Sequence, residues 1–186
     1  MNSVKDIQKK SYETMKPKFG YKGLMSAPRL VKVVVSSGTG TGIKRDKNRN
    51  EFILGRLSKI TGQKPSLRAS KKSVASFKVR QGDPIGVAVT LRGARMIAFI
   101  DKLINVAIPR TKDFRGIDRK VVDNMGNMTL SVREHTIFPE TGDEELKDVF
   151  GMGITIVTTA KTRDEAIAFF ELLGMPFKKP AEVTTK

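Results

Sequence analysis

Cysteine and tryptophan are absent from this chain of 186 residues, which also contains only two tyrosines and one histidine. Without cysteine the chain can form no disulfide, no thiolate nucleophile and no Cys-ligated metal site. The single histidine, His135, cannot build a conventional zinc site alone, so no metal is expected. Because Trp and Tyr are so scarce, an aromatic platform for stacking nucleic-acid bases is a weak expectation.

Long apolar runs are also missing. No stretch approaches 18 consecutive apolar residues, which excludes a transmembrane helix of ordinary length. The segment from Met1 to Lys18 has no apolar core, so it does not resemble a signal peptide. We therefore expect a cytoplasmic protein that makes no membrane contact.

The sequence contains no recognisable catalytic constellation, and neither an enzyme activity nor a cofactor is expected. The loop Gly38-Thr39-Gly40-Thr41-Gly42 suggests a nucleotide site, but its GxGxG spacing matches neither GxGxxG nor the P-loop. An alternative is a plain turn, or a backbone that approaches phosphates, with Lys44 and Arg45 supplying charge. His135 has no visible partner base or nucleophile, which favours a structural role.

Positive charge is abundant. The chain has a formal net charge of +16, and the stretch from Ile60 to Lys120 alone holds 14 Lys and Arg against four Asp. Like charges at this density repel one another unless a polyanion neutralises them. Since the same stretch has strand-like and helix-like patterns, it predicts a structured surface for a nucleic-acid backbone. A basic protein on an anionic membrane is a weaker alternative, because no long cationic amphipathic helix is evident.

Periodic patterns predict a mixture of helices and strands without strict alternation, which favours an α+β fold. Strands are expected at Leu30–Val35, Lys64–Leu67, Val74–Arg80, Ile85–Arg92, Thr129–Arg133 and Gly153–Ala160. Helices are expected from Val4 to near Pro17, from about Asp46 to Gly62, from Ala94 to Ile108, and after the capping box Thr162/Glu165. Arg110–Asn127 is predicted to be a long loop. One domain is expected over residues 1–179, followed by a disordered tail at 180–186.

Two of the predicted strands each divide into two faces. In Val74–Arg80, Ala75, Phe77 and Val79 alternate with Ser76, Lys78 and Arg80; in Ile85–Arg92, the apolar set Ile85, Val87, Val89 and Leu91 alternates with Gly86, Ala88, Thr90 and Arg92. Side chains along a strand point alternately to opposite faces of a sheet. The pattern therefore predicts a sheet with an apolar face for the helix at Ala94–Ile108 and a small, hydroxylated, cationic face that a phosphate backbone could approach.

Several strings together resemble the bacterial form of the large-subunit ribosomal protein five family, over about Lys5 to Lys179. They are Gly62-Gln63-Lys64-Pro65, Lys72-Ser73-Val74-Ala75, Phe77-Lys78-Val79-Arg80-Gln81-Gly82, Pro84-Ile85-Gly86, Val89-Thr90-Leu91-Arg92-Gly93, Pro109-Arg110, Asp113-Phe114-Arg115-Gly116, Val132-Arg133-Glu134, Phe138-Pro139-Glu140, Ile154-Thr155-Ile156 and Thr158-Thr159-Ala160-Lys161. Each string is weak alone, but their number and order make the resemblance specific.

The resemblance implies a mainly antiparallel β-sheet with helices packed on one face, in a single domain with extended loops. It implies a structural constituent of the large ribosomal subunit that binds 5S rRNA and helps to anchor it in the central protuberance. The implied partners are 5S rRNA, 23S rRNA, the peptidyl-site tRNA, small-subunit ribosomal protein thirteen and other 5S rRNA-binding ribosomal proteins.

Carried over by position, the resemblance also implies site residues. The 5S rRNA-binding set is Ser36, Ser37, Gly38, Thr39, Gly40, Gln63, Lys64, Thr90, Arg92 and Arg95. The tRNA-proximal loop contributes Ser70, Lys71, Lys72, Ser73, Lys78, Arg80 and Gln81. Candidates for an intersubunit contact are Arg110, Arg115, Glu144 and Glu145, the last two from an acidic patch. The chain departs from the family pattern at Ser36, Asn124 and Met128, where Asn, Gly and an aromatic residue are usual.

Overall fold

The computed structural model describes residues 4–40, 48–112, 114–142 and 149–178. Within them the helices are α1 (Val4–Phe19), α2 (Arg49–Thr61), α3 (Gly93–Lys102) and α4 (Arg163–Leu172). The strands are β1 (Leu30–Gly38), β2 (Ser66–Ala69), β3 (Pro84–Leu91), β4 (Met128–Val132) and β5 (Met152–Thr158). A π-helical segment, Leu103–Ala107, continues α3.

The chain divides into two compact units, and each consists of segments that are distant in sequence. The first, called the helical unit, comprises residues 1–31, 100–128 and 157–186. The second, called the sheet unit, comprises residues 32–99 and 129–156. The prediction of one domain over residues 1–179 stays a prediction, and residues 180–186 lie outside the described part of the chain.

The five strands form one antiparallel sheet in the order β2-β3-β1-β5-β4. In β1 and β3, Val35 is paired with Val89, and Ser36 with Ala88. Directly paired residues share a face, so this register places the apolar residues of both strands together. The inner face of the sheet is buried and consists of Val33, Val35, Val87, Val89, Leu91, Ile154 and Ile156.

Helix α2 packs against β3 on the inner face. Its buried residues Ile53, Leu57 and Ile60 recur at spacings of four and three, which places them on one side of the helix. Each such side chain contributes roughly 1.5–3 kcal/mol when it is removed from water. Gly62 ends α2 in the left-handed conformation, as its position after the apolar pattern predicted.

In the helical unit, α1 packs against α4. Val4 and Met15 are the buried apolar residues of α1, and Phe169 and Phe170 of α4 are fully buried. The predicted N-terminal cap of α4 is present, because the Thr162 hydroxyl accepts a hydrogen bond from the Glu165 N–H at 3.3 Å. The α1–α4 pair therefore brings together the beginning and the end of the described chain.

The prediction of an α+β fold with a mainly antiparallel sheet is confirmed. The predicted helices are also present, with ends that shift by a few residues, such as Phe19 instead of the vicinity of Pro17 for α1. The predicted strand at Lys64–Leu67 lies two residues later, at Ser66–Ala69.

The predicted strand at Val74–Arg80 is wrong. The segment from Ser70 to Asp83, called the finger, is a closed excursion between β2 and β3 in which Val74 and Val79 form an isolated antiparallel bridge. Lys78 has a φ of 53°, the left-handed region that strands avoid. The alternation of apolar and polar residues arises in a turn, so Lys78 and Arg80 do not share the sheet face with Gly86, Ala88 and Thr90.

Candidate nucleic-acid interface

The outer face of the sheet carries small and hydroxylated side chains. Since inner and outer residues alternate, these positions follow from the register that buries the valines. Apart from Val34, which is paired with Thr90, and Val157, the residues of β1, β3 and β5 on this face are mostly small or polar, so a backbone or a ligand can approach most of the strands closely. The small and polar residues are Ser36 and Gly38 of β1, Gly86, Ala88 and Thr90 of β3, Ser66 and Arg68 of β2, Gly153 and Thr155 of β5, and Thr129 and Ser131 of β4.

These residues form rows across the strands. Ala88 is paired with Ser36 on one side and with Ser66 on the other. Arg68 and Gly38 flank Gly86 in the same way. On the far strands, the hydroxyls of Thr129 and Thr155 lie 3.2 Å apart, within hydrogen-bonding distance. The face thus presents hydroxyls at several places across its width.

Gly86 lies close to the neighbouring strand in this row. A Cβ at this position would lie 3.2 Å from the Ser37 carbonyl oxygen, tighter than ordinary contact. A side chain there would require the neighbouring strand to move by a few tenths of an ångström. The glycine therefore keeps this part of the outer face flat.

Three of the predicted 5S rRNA-binding residues are joined by hydrogen bonds. The Gln63 side-chain amide donates to the Thr90 carbonyl at 3.2 Å, and Arg95 donates to Gln63 Oε1 at 3.5 Å. Lys64 and Arg92 are exposed nearby in sequence. This network holds the backbone at Thr90, whose side chain belongs to the outer face.

Two of the predicted residues in β1 and its following loop have buried side chains. Ser37 is buried and its hydroxyl donates to the Gly151 carbonyl at 2.8 Å. Thr39 is buried as well, and its N–H donates to the Ile85 carbonyl. Only Ser36 and Gly38 of this strand segment face outward, so a ligand on this face would meet Ser37 and Thr39 through their backbone. Gly40 is half-buried, and residues 41–47, including Lys44 and Arg45, lie outside the described residues.

The finger presents the cations predicted to lie near tRNA. Lys71, Lys72 and Lys78 are exposed, and Arg80 is exposed with them. Its loop is held by internal hydrogen bonds instead of by a core: Ser70 N–H donates to the Asp83 carbonyl, Ser73 Oγ accepts from the Gln81 N–H, and Asp83 Oδ2 accepts from the Arg80 N–H. Ser70 Oγ also donates to the Lys72 carbonyl at 2.7 Å. The finger is therefore an exposed segment whose backbone is held by its own hydrogen bonds.

Sequence reasoning missed the part of the outer face that β2, β4 and β5 supply. The signal was present, because Thr129 and Ser131 alternate with the buried Met128 and Leu130, and Thr155 stands between buried isoleucines. What the sequence could not supply was the strand order that places these hydroxyls beside β1 and β3. Arg68 was missed because the predicted strand ended at Leu67.

Of the four candidates for an intersubunit contact, two lie in the described part of the chain and two do not. Arg110 and Arg115 are exposed in the helical unit. Glu144 and Glu145 lie outside the described residues. The intersubunit assignment therefore stays a prediction.

His135 is fully buried, in agreement with the structural role favoured by the sequence. Its ring stacks on Phe150 at a centroid distance of 4.1 Å, and Nδ1 accepts a hydrogen bond from the Phe150 N–H at 3.3 Å. Among the described residues, no group of His, Asp and Glu is arranged to hold a metal ion. Within the same ranges, no helix is long and apolar enough to cross a membrane.

A hydroxylated sheet face bordered by cations, with a basic finger beside it, defines an RNA-binding protein of the kind found in ribonucleoprotein particles. Comparison with known proteins gives the family. Residues 24–80 match the model for ribosomal protein L5, and residues 84–177 match the model for the C-terminal part of the same family. The large ribosomal subunit protein uL5 of Heliobacterium modesticaldum is 47% identical over 172 residues, which is 92% of this chain and 95% of that protein.

The chain belongs to the ribosomal protein L5 family. It is a structural protein of the large ribosomal subunit and not an enzyme, so the nucleotide-dependent alternative for the Gly38–Gly42 loop is withdrawn. Its place is the ribosome, which lies in the cytoplasm of bacteria. The family resemblance read from the sequence strings is thereby confirmed.

Proposed function

We propose that the outer face of the sheet is the 5S rRNA-binding surface of this protein and that it helps to anchor 5S rRNA in the central protuberance of the large subunit. The observation that carries the proposal is the hydrogen-bonded group of Gln63, Thr90 and Arg95 beside the small residues of β1 and β3. Small side chains let an RNA strand approach, and cations at the border neutralise its phosphates.

The chemistry of this face favours recognition of RNA shape. Hydroxyls such as those of Ser36, Ser66 and Thr90 can both donate and accept hydrogen bonds, which suits ribose 2′-OH groups and phosphate oxygens. No aromatic side chain belongs to the set of described residues that forms the outer face, so base stacking contributes little there. The face would therefore distinguish an RNA fold by the positions of its backbone groups.

The finger and the other predicted contacts belong to the same proposal. We propose that the peptidyl-site tRNA lies beside Lys71, Lys72, Lys78 and Arg80, because these exposed cations are gathered on the finger that joins β2 to β3. Small-subunit ribosomal protein thirteen is proposed to meet Arg110, Arg115 and the acidic patch around Glu144 and Glu145. Other 5S rRNA-binding ribosomal proteins and 23S rRNA complete the set of partners.

The experiment that tests the 5S rRNA assignment is a titration of the purified protein with 5S rRNA of the same source, at two salt concentrations, with excess tRNA as competitor. We expect tight 5S rRNA binding that survives the competitor. Equal binding of both RNAs, collapsing as salt is raised, would show only non-specific charge and would refute the proposal.

Matched variants locate the site. Thr90→Val on the outer face should weaken binding, whereas Ser58→Ala on α2, which packs on the inner face, should not. If both variants bind 5S rRNA as the unchanged protein does, the outer face is not the site.

A further inference from the structure

Strand β2 forms one edge of the sheet, and its outer side is open. It is the last strand in the order β2-β3-β1-β5-β4, and all four of its residues are exposed. Within the part of the chain that the structure describes, no backbone group pairs with β2 from the side away from β3. The opposite edge strand differs, because Met128 at the start of β4 forms a bridge with Val122. The edge that a further strand can reach is therefore that of β2.

The backbone groups of β3 point alternately toward β2 and toward β1. The Ala88 carbonyl accepts from the Ser66 hydroxyl, so Ala88 presents its backbone groups to β2. The Ile85 carbonyl accepts from the N–H of Thr39, directly after β1, so Ile85 presents its backbone groups to β1. The even-numbered residues of β3 therefore make its hydrogen bonds with β2.

This alternation determines which groups of β2 remain unpaired. Ser66 and Arg68 are paired with even-numbered residues of β3, so their N–H and C=O groups point inward to that strand. Leu67 lies between them, and its N–H and C=O point to the free side. Pro65 has the same parity as Leu67, and proline is accepted where the N–H of an edge strand would face solvent. The free edge thus offers one donor and one acceptor at Leu67.

The side chains at this edge favour a partner with an alternating pattern. Leu67 is paired with Val87 of the inner face, yet it is 50% exposed, whereas Val87 is buried. Arg68 belongs to the outer face. Directly paired residues share a face of the sheet, so an added strand would place one residue beside Leu67 and its neighbour beside Arg68. An extended segment in which apolar and charged residues alternate satisfies both positions.

The surroundings of β2 determine the sign of that charge. Residues 62–82 contain six Lys and Arg and neither Asp nor Glu. Two copies of this chain joined through β2 would bring these cations together, so like charges oppose such a dimer. Acidic residues on the partner would be attracted instead. A phosphate backbone would match the charge but only accepts hydrogen bonds, so it would leave the outward carbonyl of Leu67 without a donor.

We propose that the free edge of β2 is a docking site for an acidic, extended segment of a partner protein, which adds a strand to the sheet. The backbone of the segment binds the N–H and C=O of Leu67, an apolar residue contacts the Leu67 side chain, and a carboxylate pairs with Arg68. Main-chain hydrogen bonds supply affinity in such complexes, and alternate side chains supply specificity. The outward groups of Leu67 lie in the plane of the sheet, so the site is separate from the proposed 5S rRNA surface.

The test uses the full chain and a short synthetic peptide in which Val alternates with Glu and Asp. Fluorescence anisotropy measures binding, and amide hydrogen exchange followed by NMR reports on the edge. In the unbound protein, the Leu67 amide should exchange faster than the Arg68 amide, because only the latter faces β3. The peptide should slow exchange at Leu67.

Leu67→Pro removes the outward N–H and leaves the hydrogen bonds to β3 in place. We expect this variant to bind the peptide about fivefold to tenfold more weakly. Leu67→Ala is the matched control: it loses apolar contact but keeps the N–H, so the peptide should still slow exchange at residue 67. Affinity for 5S rRNA should stay within about twofold in both variants, because the outer face is unchanged. Circular dichroism checks that both variants fold.

A modified peptide repeats the test without changing the protein. Methylation of every internal amide nitrogen keeps the charge and side chains of the peptide but removes the N–H groups that pair with a strand. We expect the methylated peptide to bind at least about tenfold more weakly than the plain one.

Four outcomes count against the proposal. Equal binding of the plain and methylated peptides, or unchanged exchange at Leu67 in the complex, would show attraction between charges alone. Slow exchange at Leu67 in the unbound protein would show that the edge is not free. Loss of 5S rRNA binding in Leu67→Pro as large as its loss of peptide binding would assign the edge to RNA. No binding of the plain peptide would refute the docking site, and none of these results depends on whether the outer face selects 5S rRNA.

Discussion

The phenol of Tyr21 donates a 2.6 Å hydrogen bond to Oε1 of Glu165, which lies 144 residues away in the sequence. Oε2 of the same carboxylate accepts the N–H of Lys161 at 2.7 Å. Glu165 is buried, so its two oxygens are satisfied by the segment after α1 and the residues before α4. The pair fastens the beginning of the helical unit to its end.

This pair predicts a particular pH dependence of stability. Burial, followed by the hydrogen bond and negative charge of Glu165, raises the pKa of Tyr21 above its ordinary value of 10.0. A group whose pKa is raised by folding stabilises the protein fully below the unfolded pKa, and that stability is lost as the pH rises through the folded value. Urea unfolding should therefore show a loss of stability from about pH 10 upward that Tyr21→Phe lacks.

At neutral pH, Tyr21→Phe should also cost about 1–3 kcal/mol, because one oxygen of a buried carboxylate loses its donor. Tyr12→Phe in α1 is the control, since it removes a phenolic hydroxyl other than the one that donates to Glu165. Identical alkaline unfolding of the Tyr21→Phe variant and the unchanged protein would contradict the assigned role.

Thr90→Val should weaken 5S rRNA binding by about 1–3 kcal/mol, although it changes neither charge nor size appreciably. The valine leaves an RNA group without a hydrogen-bond partner on binding, while the backbone stays fixed by the Gln63 amide. Thr90→Ser keeps a hydroxyl and should retain most of the affinity. Filter binding or calorimetry with 5S rRNA measures the difference, and equal affinities of the Val and Ser variants would sink the prediction.

Lys71→Ala and Lys72→Ala in the finger should each weaken RNA binding modestly. If each lysine neutralises one phosphate, the slope of log affinity against log salt should fall by roughly one unit per substitution. The measurement is a salt series with tRNA added to the preformed protein–5S rRNA complex. Lys59→Ala, on α2, is the matched control. An unchanged slope in both finger variants would remove these lysines from the interface.

Gly126→Ala should destabilise the helical unit by more than about 1 kcal/mol, because alanine must adopt an unfavourable backbone conformation and its Cβ also meets neighbouring atoms. Gly126 has a φ of 77°, and an added Cβ would lie 2.8 Å from both Cβ and the carbonyl oxygen of Ala160. Its own carbonyl accepts a 2.7 Å hydrogen bond from the Thr158 hydroxyl, so the turn has little freedom to move.

The control for Gly126 is Gly55→Ala in the interior of α2, where a Cβ meets no atom within 4 Å. That change should stabilise the protein by roughly 0.5–1 kcal/mol, since alanine favours the helix. Chemical denaturation of the two variants gives the comparison. A stable Gly126→Ala protein would mean that the turn relaxes around the new methyl group.

The same turn depends on the charge of one carboxylate. Burial alone would raise the pKa of Asp123, but hydrogen bonds from Asn127 and from the Met125 N–H outweigh it and lower the pKa. A lowered pKa means that Asp123 supports the turn only while it is ionised, and that this support is lost on acidification through the folded value. Asn124, the position where the resemblance read from the sequence implies Gly, stands within this turn.

Elements with strong local signals could be predicted from the sequence. Gly62 after an apolar pattern marked the end of α2, and Thr162 with Glu165 marked the start of α4, because caps depend on neighbouring residues only. The prediction of a strand in the finger was wrong because the structure of that segment depends on residues that are not adjacent in sequence. Alternation between Val74 and Arg80 looks the same in a turn as in a strand, and the Val74–Val79 bridge becomes visible only when the chain closes on itself.

In the candidate site, too, some features could be predicted from the sequence and others depend on how the strands pair. Gln63, Thr90 and Arg95 were assigned together from the family resemblance, and the structure joins them by hydrogen bonds. Ser37 and Thr39 were assigned with their neighbours, yet strand parity turns their side chains inward. Which of two adjacent hydroxyls faces outward depends on the register with β3, and no local pattern in a Ser/Thr/Gly run determines it.

The packing of α1 against α4 has a consequence for synthesis. During translation α1 emerges first, whereas α4, the helix against which it packs, follows roughly 150 residues later. Domains generally fold as units as the chain grows, and uncovered apolar surface favours aggregation. The nascent protein must therefore keep a lysine-rich helix with a bare apolar side in solution until nearly all of the chain has left the ribosome that made it.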